Sequence, residues 1–456
     1  MEIFISILVL GLSLSMFVLP LSKKLGLILF SCICLEPFSF SYVSFGACNK
    51  MLCLFFFLSE IKHFNWYKKY LKQFVIWKLL LFVTLAIVLL AVYSVYAHRI
   101  TTLVGLIVND LVAKYFVIAY VFVGMRKTAT LRNFYDIVTI AIVILTFFGL
   151  INLITKTSII ADLAGKAGSE FANMERTRVV GMFSYAFDYG FCCCVLSVFA
   201  LYGRFKNVIS TVQFELIMLC SVIGIFICGC RSIVVVEAIM LMTYVVLMFK
   251  PVKSLKIICG LSILLILSYA TIPAVQEKTA TVATAFDSEN EEMGESSIYM
   301  RALQFATVLY QIQGHEALGR GYRFFIEGLG FDKYGNGFRD LPSDAQTLMG
   351  LEGVAMNLLL ERGYVGLLVY LMFYGGLMVF AYRRRKESRP ESVCAITVLL
   401  GFICYGNMTG ELSSPVITLF FAGMYLKLSV LRSSTTISKN NSATPHNKQE
   451  CQALLQ

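Results

Sequence analysis

Charged side chains are scarce in this sequence. Only 15% of its 456 residues are charged, whereas 58% are hydrophobic, well above the roughly 45–50% apolar content of soluble globular domains. This composition excludes an ordinary water-soluble fold. Because a helix needs about 20 mostly apolar residues to cross a bilayer, and such stretches recur along the chain, the composition predicts an integral membrane protein.

Features that define other protein classes are also missing. The apolar run 1–21 has no basic region before it and no small-residue cleavage site after it, so we expect a membrane span there and not a cleaved secretory signal. No internal repeat of about 20–50 residues is evident, which weakens a transporter built from repeats. The basic residues behind the net charge of +11 are scattered among short loops, so nucleic acid is not an expected partner.

Thirteen of the fourteen cysteines lie in or beside apolar stretches, the other is Cys451 in the tail, and none falls in the long polar segment 273–350. Because only that segment would meet an oxidising compartment over any length, a disulfide framework is not expected. Cys228 and Cys230 have no histidine or carboxylate companions at the spacing of metal ligands. We therefore expect neither a metal nor a cofactor.

The positions of lysine and arginine predict the topology. The cluster Arg383–Lys386 directly follows the apolar run 364–382, and such clusters mark the cytoplasmic side of a membrane. The segment 273–350 then lies outside and the C-terminus inside, while the side of the N-terminus depends on the number of spans. The fold class we expect is all-α, a polytopic transmembrane bundle of about 12 or 13 spans with one large extracytoplasmic loop.

The chain divides into four parts on this reading. Residues 1–272 hold the N-terminal spans and a medium outer loop at 155–181. Residues 273–350 form the large extracytoplasmic loop, and residues 351–431 form an interfacial helix and the last spans. The Ser-, Thr- and Asn-rich tail 432–456 is expected to be disordered in the cytoplasm.

Charges at membrane depth are costly and are therefore functional candidates. Asp110 and Lys114 are four residues apart on one expected helix, where they can neutralise each other. Arg231 sits between two apolar runs on the outer side. It either extends its head group to the interface or binds a phosphate through its guanidinium, and the spacing leaves both open.

Three outer segments carry further candidates. Arg178 leads a segment into a span, and Arg301 leads a helical stretch that ends in a glycine-rich turn containing His315. Glycine lets a backbone approach a ligand closely, and the arginines of this turn, Arg320 and Arg323, supply positive charge. Solvated arginines on an ordinary turn fit as well. Glu352 begins a short helix 351–363, where the helix dipole stabilises a carboxylate.

Taken in order over roughly residues 70–430, these segments resemble the O-antigen ligase and O-antigen polymerase superfamily of bacterial surface-polysaccharide assembly, whose members are GT-C-like membrane glycosyltransferases. The resemblance rests on order and topology together, because no single motif is specific. Its marks are the entry segment Arg178–Phe183, the turn Cys230–Ser232, the Arg301-led helix with the turn His315–Gly321, and the closing helix Asn357–Gly363.

Two departures bear on the kind of enzyme that the resemblance implies. Glu316 and Ala317 stand where the family's turn usually has proline, and Glu352–Gly353 stands where ligases have a His-Asn pair. We therefore expect a polymerase of O-antigen, capsular or exopolysaccharide repeat units. A ligase-type transferase, or a flippase of lipid-linked oligosaccharides, is the alternative.

The resemblance implies a metal-independent reaction at the outer face of the bacterial cytoplasmic (inner) membrane. A glycan chain would pass from undecaprenyl diphosphate to a sugar hydroxyl of another lipid-linked repeat unit, with a chain-length regulator and a flippase as possible partners. Glu352 is the first candidate for the general base and His315 the second. The residues expected to bind the diphosphate are Arg231, Arg301, Arg178, Arg320 and Arg323.

Overall fold

The computed structural model describes residues 2–39, 47–98, 106–125, 129–157, 178–271, 276, 297–322, 324, 351, 353–409 and 415–440. Within these ranges the regular structure is helical and contains no β-strand. The α-helices are α1 Glu2–Ser15, α2 Leu21–Cys34, α3 Cys48–Glu60, α4 Phe64–Leu71, α5 Val75–His98, α6 Val117–Gly124, α7 Ala129–Thr155, α8 Ala186–Phe205, α9 Thr211–Ile227, α10 Arg231–Met248, α11 Pro251–Thr271, α12 Ser297–Gln311, α13 Val354–Arg383, α14 Arg389–Thr409 and α15 Pro415–Asn440. A π-helix, Ile107–Tyr115, precedes α6.

Seven of the described helical segments are long and apolar enough to cross a membrane. The expectation of an all-helical protein with several membrane spans is thus confirmed, while the total of about 12 or 13 spans stays a prediction. Shorter apolar helices accompany the seven at Ile3–Ser15, Thr211–Ile227 and Pro415–Leu431. The seven are Val75–Tyr96, Ile107–Gly124, Thr130–Thr155, Ala186–Phe205, Arg231–Met248, Val354–Lys386 and Arg389–Met408.

Helix α8 lies at the centre of the bundle and packs against α9, α10 and α14. Two buried polar contacts join α8 and the residue that follows it to α14. Tyr405 of α14 donates to Asp188 at 2.6 Å, and Lys206 lies 2.9 Å from Glu391. Because an unpaired charge in the low-dielectric interior is strongly destabilising, these pairs fix how α8 and α14 pack together.

The two ends of the chain differ from expectation. The apolar run 1–21 is not one helix, because α1 ends at Ser15 and α2 begins at Leu21 after Pro20. Proline disfavours helical geometry in the residue before it, which separates the two helices. At the other end α15 continues to Asn440, so the first part of the tail expected to be disordered is helical.

A small hydrophobic cluster fastens α12 to the first turns of α13. It contains Val308 of α12 and Ile312 just after it, Leu351 just before α13, and Met356, Leu359 and Leu360 in the first turns of α13. It is separate from the large core that fills the rest of the bundle. The helix expected after Arg301 and the helix expected before Gly363 are therefore both present and in contact.

Candidate functional site

Helix α13 is interrupted at Gly363, whose φ of 60° and ψ of −161° are not helical. The turn after α12 supplies the hydrogen bonds that the interruption removes. Arg320 N donates to Leu360 O at 2.8 Å and Gly321 N donates to Glu361 O at 3.0 Å. In the opposite direction, Tyr364 N donates to Glu316 O at 2.8 Å and Val365 N donates to Ala317 O at 3.0 Å.

Two glycines permit this close backbone contact. A Cβ atom on Gly319 would lie 2.4 Å from Arg362 N, and a Cβ atom on Gly363 would lie 2.4 Å from Glu316 O. Both glycines also have positive φ, 71° and 60°, a region that other residues enter at a cost. Two of the four sequence segments that carried the resemblance are thus joined through their backbones.

Helix α5 holds the turn from the other side. Tyr93 Oη lies 3.3 Å from His315 Nδ1 and donates to Gly319 O at 3.4 Å. Ser94 Oγ accepts a bond from Tyr322 N at 3.0 Å. His315 therefore contacts α5, and it is not among the residues that line the cavity described next.

A polar cavity of about 260 Å³ lies beside the interruption in α13. Its charged lining residues are three cations and two carboxylates, which leaves one net positive charge at neutral pH. The full lining is Lys50, Asn109, Asp110, Ala113, Lys114, Tyr322, Val354, Asn357, Leu358, Glu361, Arg362, Pro415 and Val416.

Arg362 is one of the two deeply buried cations in this cavity, together with Lys114. It is 8% exposed, and its Nη2 lies 2.6 Å from Asp110 Oδ2. Its guanidinium also lies over the ring of Tyr322, 5.5 Å from the centroid. The buried Nε has no hydrogen-bond partner within the described residues, and an unsatisfied donor on a buried guanidinium favours an anionic ligand.

Three helices begin at the cavity. Lys50 lies in the first turn of α3, Val354 and Asn357 lie in the first turn of α13, and Pro415 begins α15. Helix N-termini present unpaired N–H groups and a partial positive charge. Together with Arg362, they make the cavity suited to an anion.

Tyr322 lies outside the membrane-spanning segments and closes one side of the cavity. Burial and the negative charge of Asp110 raise the pKa of its phenol. The phenol is therefore a neutral O–H group across the physiological pH range. Such a group can donate a hydrogen bond to a sugar or phosphate oxygen.

Arg301 and Arg320 bind carbonyl groups at the ends of helices. Arg301 Nη2 donates to Met408 O, near the end of α14, at 2.8 Å. Arg320 Nε donates to Gln311 O, the last residue of α12, at 2.5 Å. Basic side chains commonly cap helix C-termini in this way, so both arginines fasten the helix and turn that adjoin the cavity.

The remaining predicted residues lie elsewhere. Arg178 is exposed with its guanidinium 5.1 Å from the centroid of the Phe187 ring, and Arg231 is an exposed first residue of α10. Neither lines the cavity, nor do Arg301 and Arg320. Two further predicted residues, Arg323 and Glu352, fall outside the described residues.

Sequence reasoning did not single out Arg362. The signal available was an arginine inside a long apolar run, next to Glu361 and Gly363. For Asp110 the spacing suggested Lys114 as the partner, whereas the ion pair of 2.6 Å joins it to Arg362 on another helix. In the described ranges no three His, Cys, Asp or Glu side chains come together as a metal site would require.

No protein-family model matches the chain, and no curated protein is significantly similar to it.

The carboxylate of Glu316 stabilises the turn and gives a pH-dependent prediction. It accepts a bond from Gly314 N at 2.9 Å, and the N–H groups of Glu316 itself and of Gly314 hold its pKa below the usual value of 4.5. A lowered pKa means that the stabilisation is present above pH 4.5 and is lost as the pH falls through the lowered value. Glu316→Gln should therefore lose less thermal stability than the wild type when the pH falls below 4.5.

Thermal unfolding of the purified protein at several pH values measures this difference. The control is Glu215→Gln, which removes an exposed carboxylate on α9 and should follow the wild-type profile. Coincident profiles for wild type and Glu316→Gln would show that the carboxylate does not stabilise the turn.

Proposed function

We propose that the chain is a polymerase of O-antigen, capsular or exopolysaccharide repeat units in the bacterial cytoplasmic membrane. The observation that carries the proposal is the cationic cavity at Arg362, formed where the Arg301-led helix and turn join the closing helix. These are two of the segments on which the sequence resemblance rests. The buried guanidinium and the converging helix N-termini fit the diphosphate of a lipid-linked glycan.

We infer that the cavity faces the extracytoplasmic side. Helix α3 begins at the cavity and ends just before Lys62. Helix α13 likewise begins there and ends in the basic cluster Arg383–Lys386. Since basic clusters mark the cytoplasmic side, the opposite ends of both helices lie toward the outer leaflet, where the proposed substrate is presented.

The proposed reaction is one displacement at an anomeric carbon. The hydroxyl of the acceptor sugar attacks this carbon, the carbon–oxygen bond to the diphosphate breaks, and the electron pair leaves with undecaprenyl diphosphate. Arg362, Lys50 and Lys114 would stabilise the charge that develops on the leaving group. Glu361 lines the same cavity and is the proton acceptor we propose there.

Other predicted residues keep their expected roles as proposals. Arg178 and Arg231 would bind the diphosphate of the lipid carrier from exposed positions. Arg323 and Glu352 stay predictions from the resemblance, and so does the alternative that His315 accepts the proton. A single displacement would invert the configuration of the anomeric carbon.

Deletion of the gene, followed by examination of the surface glycan, tests this function. A polymerase predicts single repeat units on the lipid carrier, and the wild-type gene supplied in trans should restore long chains. Polymer that accumulates on the carrier would instead indicate a ligase. Carrier-linked units trapped at the inner face would indicate a flippase, and an unchanged glycan would exclude all three.

A further inference from the structure

A second cavity, of about 220 Å³, lies at the end of α3, whereas the polar cavity at Arg362 lies at its beginning. We call this second cavity the groove. It is bounded by the end of α3, by the short helix α4, by the first turns of α5 and by the beginning of α6. Its walls are mainly apolar and aromatic, and include Phe56, Phe57, Phe64, Trp77, Leu80 and Phe116. The walls suit a hydrocarbon chain and not a polar ligand.

The polar edge of this groove is cationic. Its one carboxylate, Glu60, is already paired with Lys24 Nζ at 2.6 Å and accepts a bond from Tyr67 at 2.7 Å. The segment 61–73 that follows contains four lysines and a histidine and no acidic residue. Lys68 and Lys72 are four residues apart, and Lys68 lines the groove, so the edge attracts negative charge.

Helix α4 has the composition of a membrane-interface element. Phe64 and Trp66 are 45% and 44% exposed, and lysines follow them within the same helix. Exposed tryptophan and phenylalanine beside lysine are typical of the boundary between head groups and acyl chains. Because basic segments mark the inner side, this groove opens toward the cytoplasmic leaflet, which is rich in anionic lipid.

We propose that the groove binds one anionic glycerophospholipid, with an acyl chain between the aromatic walls and the phosphate head group against Lys68 and Lys72. This occupant matches both parts of the site, since the walls are apolar and the edge is positive. A zwitterionic lipid would fill the walls equally well and would gain little from the lysines. The preference for negative head groups is therefore the property to measure.

The chain contains two tryptophans, and both lie at this groove: Trp77 lines it and Trp66 is on α4. Trp66→Phe leaves Trp77 as a single fluorescent reporter. The protein is reconstituted in membranes that contain phosphatidylglycerol or phosphatidylcholine with brominated acyl chains, and quenching of Trp77 is measured. We expect about fivefold tighter binding of phosphatidylglycerol, the size given by one basic side chain near an anionic surface.

The lysine variants decide whether the head group is recognised at this site. In the Trp66→Phe background, Lys68→Gln/Lys72→Gln should abolish the preference, whereas Lys68→Arg/Lys72→Arg should keep it and show that the segment still folds. Lys253→Gln/Lys256→Gln removes the same charge from exposed positions on α11 and should leave the preference intact. Equal quenching by the two lipids, or a preference that survives in Lys68→Gln/Lys72→Gln, would overturn the proposal.

Discussion

Arg362→Ala is expected to abolish chain extension and to reduce the amount of folded protein. It removes the buried guanidinium of the cavity and leaves Asp110, which is 7% exposed, without the cation 2.6 Å away. An uncompensated buried charge costs about 3–5 kcal/mol. Loss of one preorganised donor to a developing negative charge lowers a rate by about 10²–10³-fold.

The stability effect and the catalytic effect can be separated by a double variant. Asp110→Asn/Arg362→Gln removes both charges together, so no unpaired ion is left in the interior. We expect its yield and thermal stability to approach those of the wild type while chain extension stays abolished. Arg132→Gln, at an exposed position on α7, is the control for loss of a positive charge and should extend chains normally.

Two quantities are measured. The first is glycan chain length in a strain that lacks the chromosomal gene and carries each variant in trans, and the second is the melting temperature of each purified variant. A double variant that folds and extends chains at the wild-type rate would exclude Arg362 from binding the diphosphate. That outcome would not contradict the proposal that the chain is a polymerase, because the gene-deletion test does not depend on Arg362.

Gly363→Ala is expected to disrupt the junction between the turn and α13. Alanine at a positive φ costs about 1–2 kcal/mol, and its Cβ would lie 2.4 Å from Glu316 O, a backbone atom that cannot move without breaking the bond from Tyr364. Enforced overpacking adds about 1–3 kcal/mol. We expect a clear fall in melting temperature and loss of chain extension.

Gly375→Ala is a matched control within the same helix. A Cβ atom at Gly375 meets no heavy atom within 4 Å, and alanine is about 1 kcal/mol more favourable than glycine in a helix interior. Its melting temperature should equal or exceed that of the wild type. If Gly363→Ala were as stable as Gly375→Ala, the interruption in α13 would not depend on glycine.

Local patterns in the sequence predicted much of the local structure. The helix after Arg301 and the turn that follows it could be recognised because glycine, apolar spacing and charge change over a few residues. The end of a short helix at Gly363 was expected for the same reason, since the glycine stands between that predicted helix, 351–363, and a long apolar run. Such features depend on residues that are adjacent along the chain, and the sequence shows those residues directly.

Contacts between distant segments were harder to predict. Asp110 and Arg362 meet only because the π-helix and α13 converge at the cavity, and no spacing rule relates their positions. The arginines chosen for the diphosphate were selected from the predicted outer segments and their edges, whereas the structure shows Arg301 Nη2 and Arg320 Nε donating to helix-end carbonyls. A sequence reveals which charges are unusual, but the packing of helices decides which of them share a cavity.

The backbone bonds between the turn and the interrupted helix have a consequence for engineering. Leu360 O and Glu361 O on one side of Gly363, and Tyr364 N and Val365 N on the other, are all satisfied by residues 316–321. Residues 316–321 thus complete the backbone hydrogen bonding of a helix that is long and apolar enough to cross a membrane. A chimera that exchanges only the loop would leave four backbone groups without partners, so a working exchange must carry residues 297–322 and 354–365 together.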